Sequence, residues 1–148
     1  EDLMGLIKWG APSALVTHAT TELNNLAHAA RAFGTGVNNE SALHRWADFE
    51  VIAKFAARPT AVSPYFNLYL VPMLGATYVV NTVGTAPPAT VWAGAFPLAL
   101  ATGPQRSYSG RISLPPFRYK PLLENQSGKA LAATGTTLRS RSYNESSS

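Results

Sequence analysis

The chain contains no cysteine, and about half of it contains no acidic residue. The missing cysteine excludes a disulfide framework and a thiolate metal site. No Asp or Glu occurs between Val51 and Leu123, a run of 73 residues. General acid/base pairs and hard-metal sites both need carboxylates, so this run can supply neither.

Charge is scarce as well. Charged residues make up 14% of the chain, against about 25% in a typical soluble protein. This favours a surface that a partner partly covers, although an all-β domain rich in small residues would show the same composition. The basic residues concentrate late: residues 101–148 carry seven basic and two acidic side chains, a net charge of +5. They are spaced singly, which favours an acidic protein surface as the partner and argues against direct nucleic-acid binding.

Long hydrophobic runs are also missing. The longest apolar stretches, such as residues 91–101, are shorter than the roughly 20 residues that a membrane-spanning helix needs. The N-terminus is acidic before it is apolar, which is not typical of a secretory signal. No membrane partner is therefore expected.

Short strand patterns separated by turn residues make up most of the chain. Residues 48–56 alternate between apolar and polar side chains, which is typical of a strand with one wet face. Residues 65–71 are apolar or aromatic on both faces, which indicates a central strand. Pro72 is expected to end it, because proline cannot donate a hydrogen bond to a sheet.

Two further segments are less regular. In residues 105–114 the alternation predicts that Tyr108 and Ile112 share one face of a strand. Residues 21–25 predict a short helical turn, followed by a strand that runs to about Phe33.

Seven or eight such strands, together with 11 prolines and 11 glycines, predict an all-β fold with little helix. The expected architecture is an antiparallel β-sandwich of jelly-roll type. We divide the chain into an extended N-terminal arm over residues 1–12, a sandwich domain over residues 13–143 and a flexible tail over residues 144–148. The predicted core consists of apolar strand residues: Phe49, Val51, Phe55, Leu68, Leu70, Phe96, Ile112, Leu123 and Leu138.

Two groups of residues are candidates for a partner-binding surface. Five apolar side chains precede the first strand, and Gly5 and Gly10 argue against a helix that could bury them. Such an arm either docks on a neighbouring subunit or folds back on its own domain. In the predicted last strand, two arginines point outward. The candidate interface residues are Leu3, Met4, Leu6, Ile7, Trp9, Arg139 and Arg141.

Patterns that indicate catalysis or metal binding are missing. His18, His28 and His44 form no short, face-matching pair with a carboxylate or thiolate beside it. There is no nucleophile elbow, phosphate loop or dinucleotide fingerprint. Asp48 and Glu50 share one strand face, which indicates a solvated surface and not a glycosidase pair. The chain is predicted to be no enzyme and to hold no metal or cofactor.

The aromatic residues permit another interpretation. Aromatic residues in strands mostly pack in the core or across strands, but on an exposed face they would form a platform for sugar rings. A sugar-binding protein should show a flat, exposed aromatic strip, whereas a protein that docks on a neighbouring subunit should show exposed aliphatic patches at its arm and edges. The residues that could contribute to a platform are Trp46, Trp92, Tyr65, Tyr69, Tyr78, Tyr108, Tyr119 and Tyr143.

Several segments together resemble a family of small virion proteins of tailed bacteriophages. They are IKWG at residues 7–10, NLYLVPML at residues 67–74, WAGAFPL at residues 92–98, ISLPP at residues 112–116, LENQSG at residues 123–128, GTTLR at residues 135–139 and YNE at residues 143–145. Family members tend to follow the second motif with an Asp-Gly turn, and this chain lacks that Asp.

The resemblance implies a β-sandwich that decorates or cements an icosahedral capsid. Its expected partners are the major capsid protein and further copies of itself, as a homotrimer or a homodimer. Its expected location is the capsid surface of the virion, after synthesis in the bacterial host cytoplasm. The alternatives are a carbohydrate-binding module on the virion surface and a tail or fibre component.

Overall fold

The computed structural model describes residues 7–147. The described residues form short strands and two 3-10 helices, Thr21–Leu23 and Ala89–Val91. The strands are β1 (Ile7–Trp9), β2 (Val16–Ala19), β3 (Arg31–Phe33), β4 (Val37–Asn38), β5 (Trp46–Ala53), β6 (Tyr65–Leu74), β7 (Thr77–Tyr78), β8 (Trp92–Pro97), β9 (Gln105–Ser113), β10 (Arg118–Gln126), β11 (Thr137–Tyr143) and β12 (Glu145–Ser147).

Two antiparallel sheets pack face to face. The four-stranded sheet has the order β2-β11-β5-β9. The six-stranded sheet has the order β3-β10-β6-β7, with β4 also paired to β10 and β8 also paired to β6. Eight of these strands follow the jelly-roll pairing: β2 with β11, β3 with β10, β5 with β9 and β6 with β8. The predicted all-β sandwich is confirmed.

The inner faces of the sheets form the core. In β5 the burial alternates strictly, so that Ala47, Phe49, Val51 and Ala53 point inward, as the period-two pattern requires. Leu138 of β11 lies opposite Val51 and extends this layer. Every predicted core residue is buried: Phe49, Val51, Phe55, Leu68, Leu70, Phe96, Ile112, Leu123 and Leu138.

A smaller apolar cluster lies on the outer face of the six-stranded sheet. Val71 and Leu122 are fully buried there beneath Val80, which belongs to the segment between β7 and β8. The Lys120 ammonium lies 4.5 Å from the ring centre of Tyr78 at the edge of this cluster, within the range of a cation–π contact. The segment therefore covers one end of that outer face.

The strand predicted to end at Pro72 continues to Leu74, so that prediction is wrong. The missing N–H of Pro72 does not end the strand, because the hydrogen bond to the neighbouring segment uses the Pro72 carbonyl. This carbonyl accepts the backbone N–H of Val79 at 3.0 Å. Met73 and Leu74 then pair with β7. A proline at this point blocks only one donor of the ladder.

The predicted shared face of Tyr108 and Ile112 is also wrong. Ile112 is buried, whereas Tyr108 is 68% exposed. The pairing of β9 with β5 shifts register between Asp48 and Glu50, and Gly110 adopts a positive φ of 75° at this β-bulge. The extra residue reverses the alternation, and Tyr108 therefore lies on the same outer face as Arg111.

The strand predicted to run from about residue 26 to Phe33 is short. Only Arg31–Phe33 is extended in the sheet. Asn25 and Ala29 both have positive φ values, 57° and 65°, a conformation that interrupts a strand.

The two ends of the described chain pair with each other. β1 is antiparallel to β12, with Trp9 opposite Glu145, and the Gly10 N–H donates to the Asn144 carbonyl at 2.6 Å. Glu145–Ser147 of the predicted tail thus have a backbone partner in the arm, and the division into arm, sandwich domain and flexible tail stays a prediction. Leu3, Met4 and Leu6 of the predicted interface lie outside the described residues.

Shortening a side chain of the buried layer should lower the free energy of unfolding. We expect Leu138→Ala to lower the free energy of unfolding by about 2–5 kcal/mol, because it removes a fully buried side chain and leaves a cavity. Val62→Ala, at a position that is almost fully exposed, should change it by less than about 0.5 kcal/mol. Urea unfolding of both variants measures the difference, and equal values for the two would contradict the assignment of Leu138 to the core.

Candidate binding face

The outer face of the four-stranded sheet gathers arginines and aromatic residues from four strands. Because the inner faces are filled by the core, the alternate residues of β5, β9 and β11 must point outward. We call this surface the arginine–aromatic face. It consists of Trp9 of β1, Trp46, Asp48 and Glu50 of β5, Arg106, Tyr108 and Arg111 of β9, and Arg139, Arg141 and Tyr143 of β11.

Arg111 connects the aromatic residues at one end of the face. Its guanidinium carbon lies 4.2 Å from the ring centre of Trp46 and 5.6 Å from that of Trp9. Trp9 in turn makes an edge-to-face contact with Tyr143, with ring centres 5.3 Å apart and planes at 87°. Trp9 thus folds back on its own domain, yet 56% of its surface remains exposed. Trp9 is therefore anchored on its own domain and still presents a surface to a neighbouring subunit, which are the two alternatives considered for the arm.

A shallow groove opens beside Trp9. It has a volume of about 380 Å³ and is lined by Trp9, Gly10, Pro12, Asp48 and Tyr143. The Tyr143 hydroxyl donates to Asp48 Oδ1 at 3.4 Å. Burial raises the pKa of Tyr143, and the charge of Asp48 raises it further. The tyrosine therefore stays neutral at physiological pH and holds the Asp48 carboxylate at the edge of the groove.

The two arginines predicted for the interface have different surroundings. Arg139 lies opposite Glu50 in the sheet, and its Nε and Nη2 reach Glu50 Oε1 at 2.8 and 2.7 Å. Arg106 approaches the other oxygen of Glu50 at 3.4 Å. Arg141 is exposed and makes no ion pair within residues 7–147. Arg141 is thus available to a partner, whereas Arg139 is held by Glu50.

Of the ten residues of the face, sequence reasoning assigned three to the interface, Trp9, Arg139 and Arg141, and missed the other seven. Trp46, Tyr108 and Arg111 were not among the predicted interface residues, although Trp46 and Tyr108 were named as possible stacking residues. The strand alternation of β5 was enough to place Trp46 outward with Asp48 and Glu50. The bulge at Gly110 that places Tyr108 beside them leaves only a weak signal, a single glycine inside a strand.

The histidines have separate structural roles. His18 Nε2 lies 2.6 Å from Ser140 Oγ, His28 Nδ1 accepts the Gly128 N–H at 3.0 Å, and His44 Nδ1 lies 2.8 Å from Ser142 Oγ. Across residues 7–147, no group of three His, Cys, Asp or Glu side chains could hold a metal ion. No helix in the same range has the length and apolar character needed to cross a membrane.

Comparisons with known proteins return no relative. No protein-family model, curated protein sequence or solved structure matches the chain. The resemblance to small virion proteins therefore stays a prediction from the sequence. The surfaces of the sandwich are therefore the basis for the function proposed below.

His18 should make the stability depend on pH. The residue is buried, and burial lowers its pKa from 6.5 to about 4. Between these values the unfolded chain binds a proton that the folded chain does not, so stability falls as the pH decreases from 6.5 towards 4. We expect this loss to reach about 3 kcal/mol and to be absent in His18→Gln.

Urea unfolding between pH 4.5 and pH 7 measures the effect. His28→Gln is the control for replacing a histidine that is exposed; because His28 Nδ1 accepts the Gly128 N–H, each variant is compared with its own stability at pH 7. A His18→Gln chain with the same pH dependence as the parent would show that His18 is not responsible.

Proposed function

We propose that the chain is a structural, non-enzymatic protein of a tailed-bacteriophage virion, which decorates or cements the capsid by binding the major capsid protein through the arginine–aromatic face. The observation that carries this proposal is the convergence of exposed Trp, Tyr and Arg side chains on one sheet face. These three residue types dominate the binding energy of protein interfaces. Such a set on an unpartnered face suits docking against a protein.

The rigidity of the face supports the same proposal. Its side chains stand on paired strands, and Glu50 and Arg111 hold their neighbours through ion pairs and ring contacts. These held side chains then lose little conformational entropy when a partner binds. A protein that must stay attached to a particle benefits from this preorganisation.

The charge of the face suits an acidic partner. Four arginines of β9 and β11 face three carboxylates, Asp48 and Glu50 of β5 and Glu145 of β12, whose Oε1 lies 3.8 Å from Arg111 Nη1. Of the four, Arg141 is fully available and Arg111 is about half exposed. Complementary charge raises the rate of association and excludes partners of the same sign. An acidic capsid surface is therefore the expected binding site.

The remaining expectations follow from this role. The protein would lie on the outside of the capsid, after synthesis in the host cytoplasm, and would bind neighbouring copies of itself as a trimer or, failing that, a dimer. It would need neither a cofactor nor a metal. A tail or fibre component is the alternative position in the virion, and it would use the same face against a different protein.

Substitutions on the face should abolish attachment. We expect the double variant Tyr108→Ala and Arg141→Glu to weaken binding to capsids by at least about thirtyfold, because a central interface residue contributes about 2 kcal/mol. Cosedimentation of the purified variant with capsids that lack the protein measures the affinity.

The control for charge is Lys129→Glu, which makes the same charge change at an exposed position in the connection between β10 and β11. It should bind like the parent chain. Thermal melting should be unchanged in both variants, because both alter surface residues. Equal binding of the double variant and the parent chain would exclude the arginine–aromatic face as the docking surface.

The arm supplies a separate test. Residues 1–6 contain Leu3, Met4 and Leu6, and burying each of these side chains on a neighbour would contribute about 1.5–3 kcal/mol before the cost of ordering the segment. We expect deletion of residues 1–6 to leave the melting temperature unchanged and to reduce capsid occupancy. Full occupancy by the shortened chain would show that these residues do not contribute to attachment.

A further inference from the structure

The outer face of the six-stranded sheet is open at one end. The segment between β7 and β8 covers Val71 and Leu122 and reaches Arg31, whose Nη1 donates to the Val83 carbonyl at 3.3 Å, whereas Tyr65, Pro97 and Trp92 stay exposed. Across β3, β10, β6 and β8 the outward-pointing rows read Gln126–Tyr65–Pro97 and Arg31–Glu124–Asn67–Ala95, and the row beside them reads Phe33–Leu122–Tyr69–Trp92. This surface lies on the opposite side of the sandwich from the arginine–aromatic face.

One row forms a continuous chain of hydrogen bonds. Arg31 Nε donates to Glu124 Oε2 at 2.7 Å, Asn67 Nδ2 donates to Glu124 Oε1 at 3.0 Å, and Trp92 Nε1 donates to Asn67 Oδ1 at 3.0 Å. Burial by itself would raise the pKa of Glu124, but hydrogen bonds from Asn67, Gln126 and Arg31 lower it below its usual value. The carboxylate is therefore charged at neutral pH.

This row keeps unused hydrogen-bonding capacity. The Asn67 and Gln126 amides each keep hydrogen-bonding groups beyond their bond to Glu124, whereas Glu124 is buried, with 7% of its side chain exposed, and fixes the two amides in place. Since all of these groups stand on paired strands and hold one another, their donors and acceptors are fixed in position. A ligand with several hydroxyl groups can pair with them at little entropic cost.

Aromatic side chains flank the row on both sides. Tyr65 is 39% exposed and Trp92 is 50% exposed. Each belongs to a row next to the Glu124–Asn67 pair, and the backbones of neighbouring rows are about 7 Å apart along the strand. The hydrogen bond from the Trp92 indole to Asn67 anchors one edge of that ring. We call the surface formed by Tyr65, Asn67, Tyr69, Trp92, Glu124 and Gln126 the tyrosine–tryptophan strip.

We propose that the tyrosine–tryptophan strip binds an uncharged oligosaccharide. A pyranose ring offers apolar C–H groups to an aromatic ring and hydroxyl groups to planar amide and carboxylate side chains. Glu124 and Arg31 compensate each other's charge, so the strip favours neither an anionic nor a cationic ligand. Nucleic acid would need cations that are free to contact phosphates, and the only arginine in this row is held by Glu124.

The site does not depend on the docking proposal. A chain attached through the arginine–aromatic face would still present the strip, because the two surfaces face opposite ways. Loss of sugar binding and loss of capsid binding can therefore be measured separately in the same variants.

An NMR titration tests the proposal. The full chain, labelled with ¹⁵N, is titrated separately with maltotetraose, cellotetraose and β-1,4-mannotetraose. The three tryptophans give three indole N–H signals. We expect at least one of the sugars to shift the Trp92 signal and the Asn67 side-chain signal in a saturable way, while the signals of Trp9 and Trp46 stay in place.

Variants give the matched comparison. Tyr65→Ala should weaken the binding of that sugar by about tenfold, since one stacking ring is lost. Phe117→Ala removes an exposed aromatic ring outside the strip and should leave the affinity unchanged. Three outcomes would each overturn the proposal: no saturable shift of Trp92 with any of the sugars, shifts confined to Trp9 or Trp46, or equal affinity of the Tyr65→Ala and parent chains.

Discussion

Phe49, Phe66, Phe96 and Leu138 are fully buried between the two sheets, and the positions of all other surfaces follow from this layer. Once the inner face of each strand is committed to the layer, the alternate residues must point outward. The layer also sets the register, because a slip by one residue would turn every inward side chain towards solvent. Apart from the bulge at Gly110, the core thus decides which side chains lie on the outer faces.

The two outer faces differ in chemistry. The face of the four-stranded sheet is rich in arginine, with fewer carboxylates, which come from β5 and β12. The face of the six-stranded sheet is partly covered by its own apolar cluster, and its open part holds a balanced pair, Glu124 and Arg31. A sandwich with two such surfaces can engage a charged protein on one side and a neutral ligand on the other. The proposals for the two faces follow from this difference in charge.

Much of the fold could be predicted from the sequence because period-two patterns report directly on burial. Residues such as Val51 and Leu123 were placed correctly for this reason. The Gly110 bulge could not be predicted, because one inserted residue changes the face of Tyr108 without changing the composition of the strand.

Contacts between segments that are distant in sequence explain the other features that the sequence patterns did not predict. Pro72 stays in its strand because Val79 folds back on its carbonyl, and β12 exists because β1 lies beside it. Of the arginine–aromatic face, Trp9, Arg139 and Arg141 were named from local sequence. The grouping of Arg111 with Trp46 depends on strand pairing that local patterns do not encode.

The position of β11 has a consequence for synthesis of the protein. This strand lies between β2 and β5, so neither of them has its central partner until Thr137–Tyr143 has left the ribosome. Strands such as β5 and β9, or β6 and β8, can pair with each other before β11 is synthesised, whereas β2 has its partner in the sheet only once β11 is present. Closure of the four-stranded sheet therefore waits for β11, although most of its strands are made earlier.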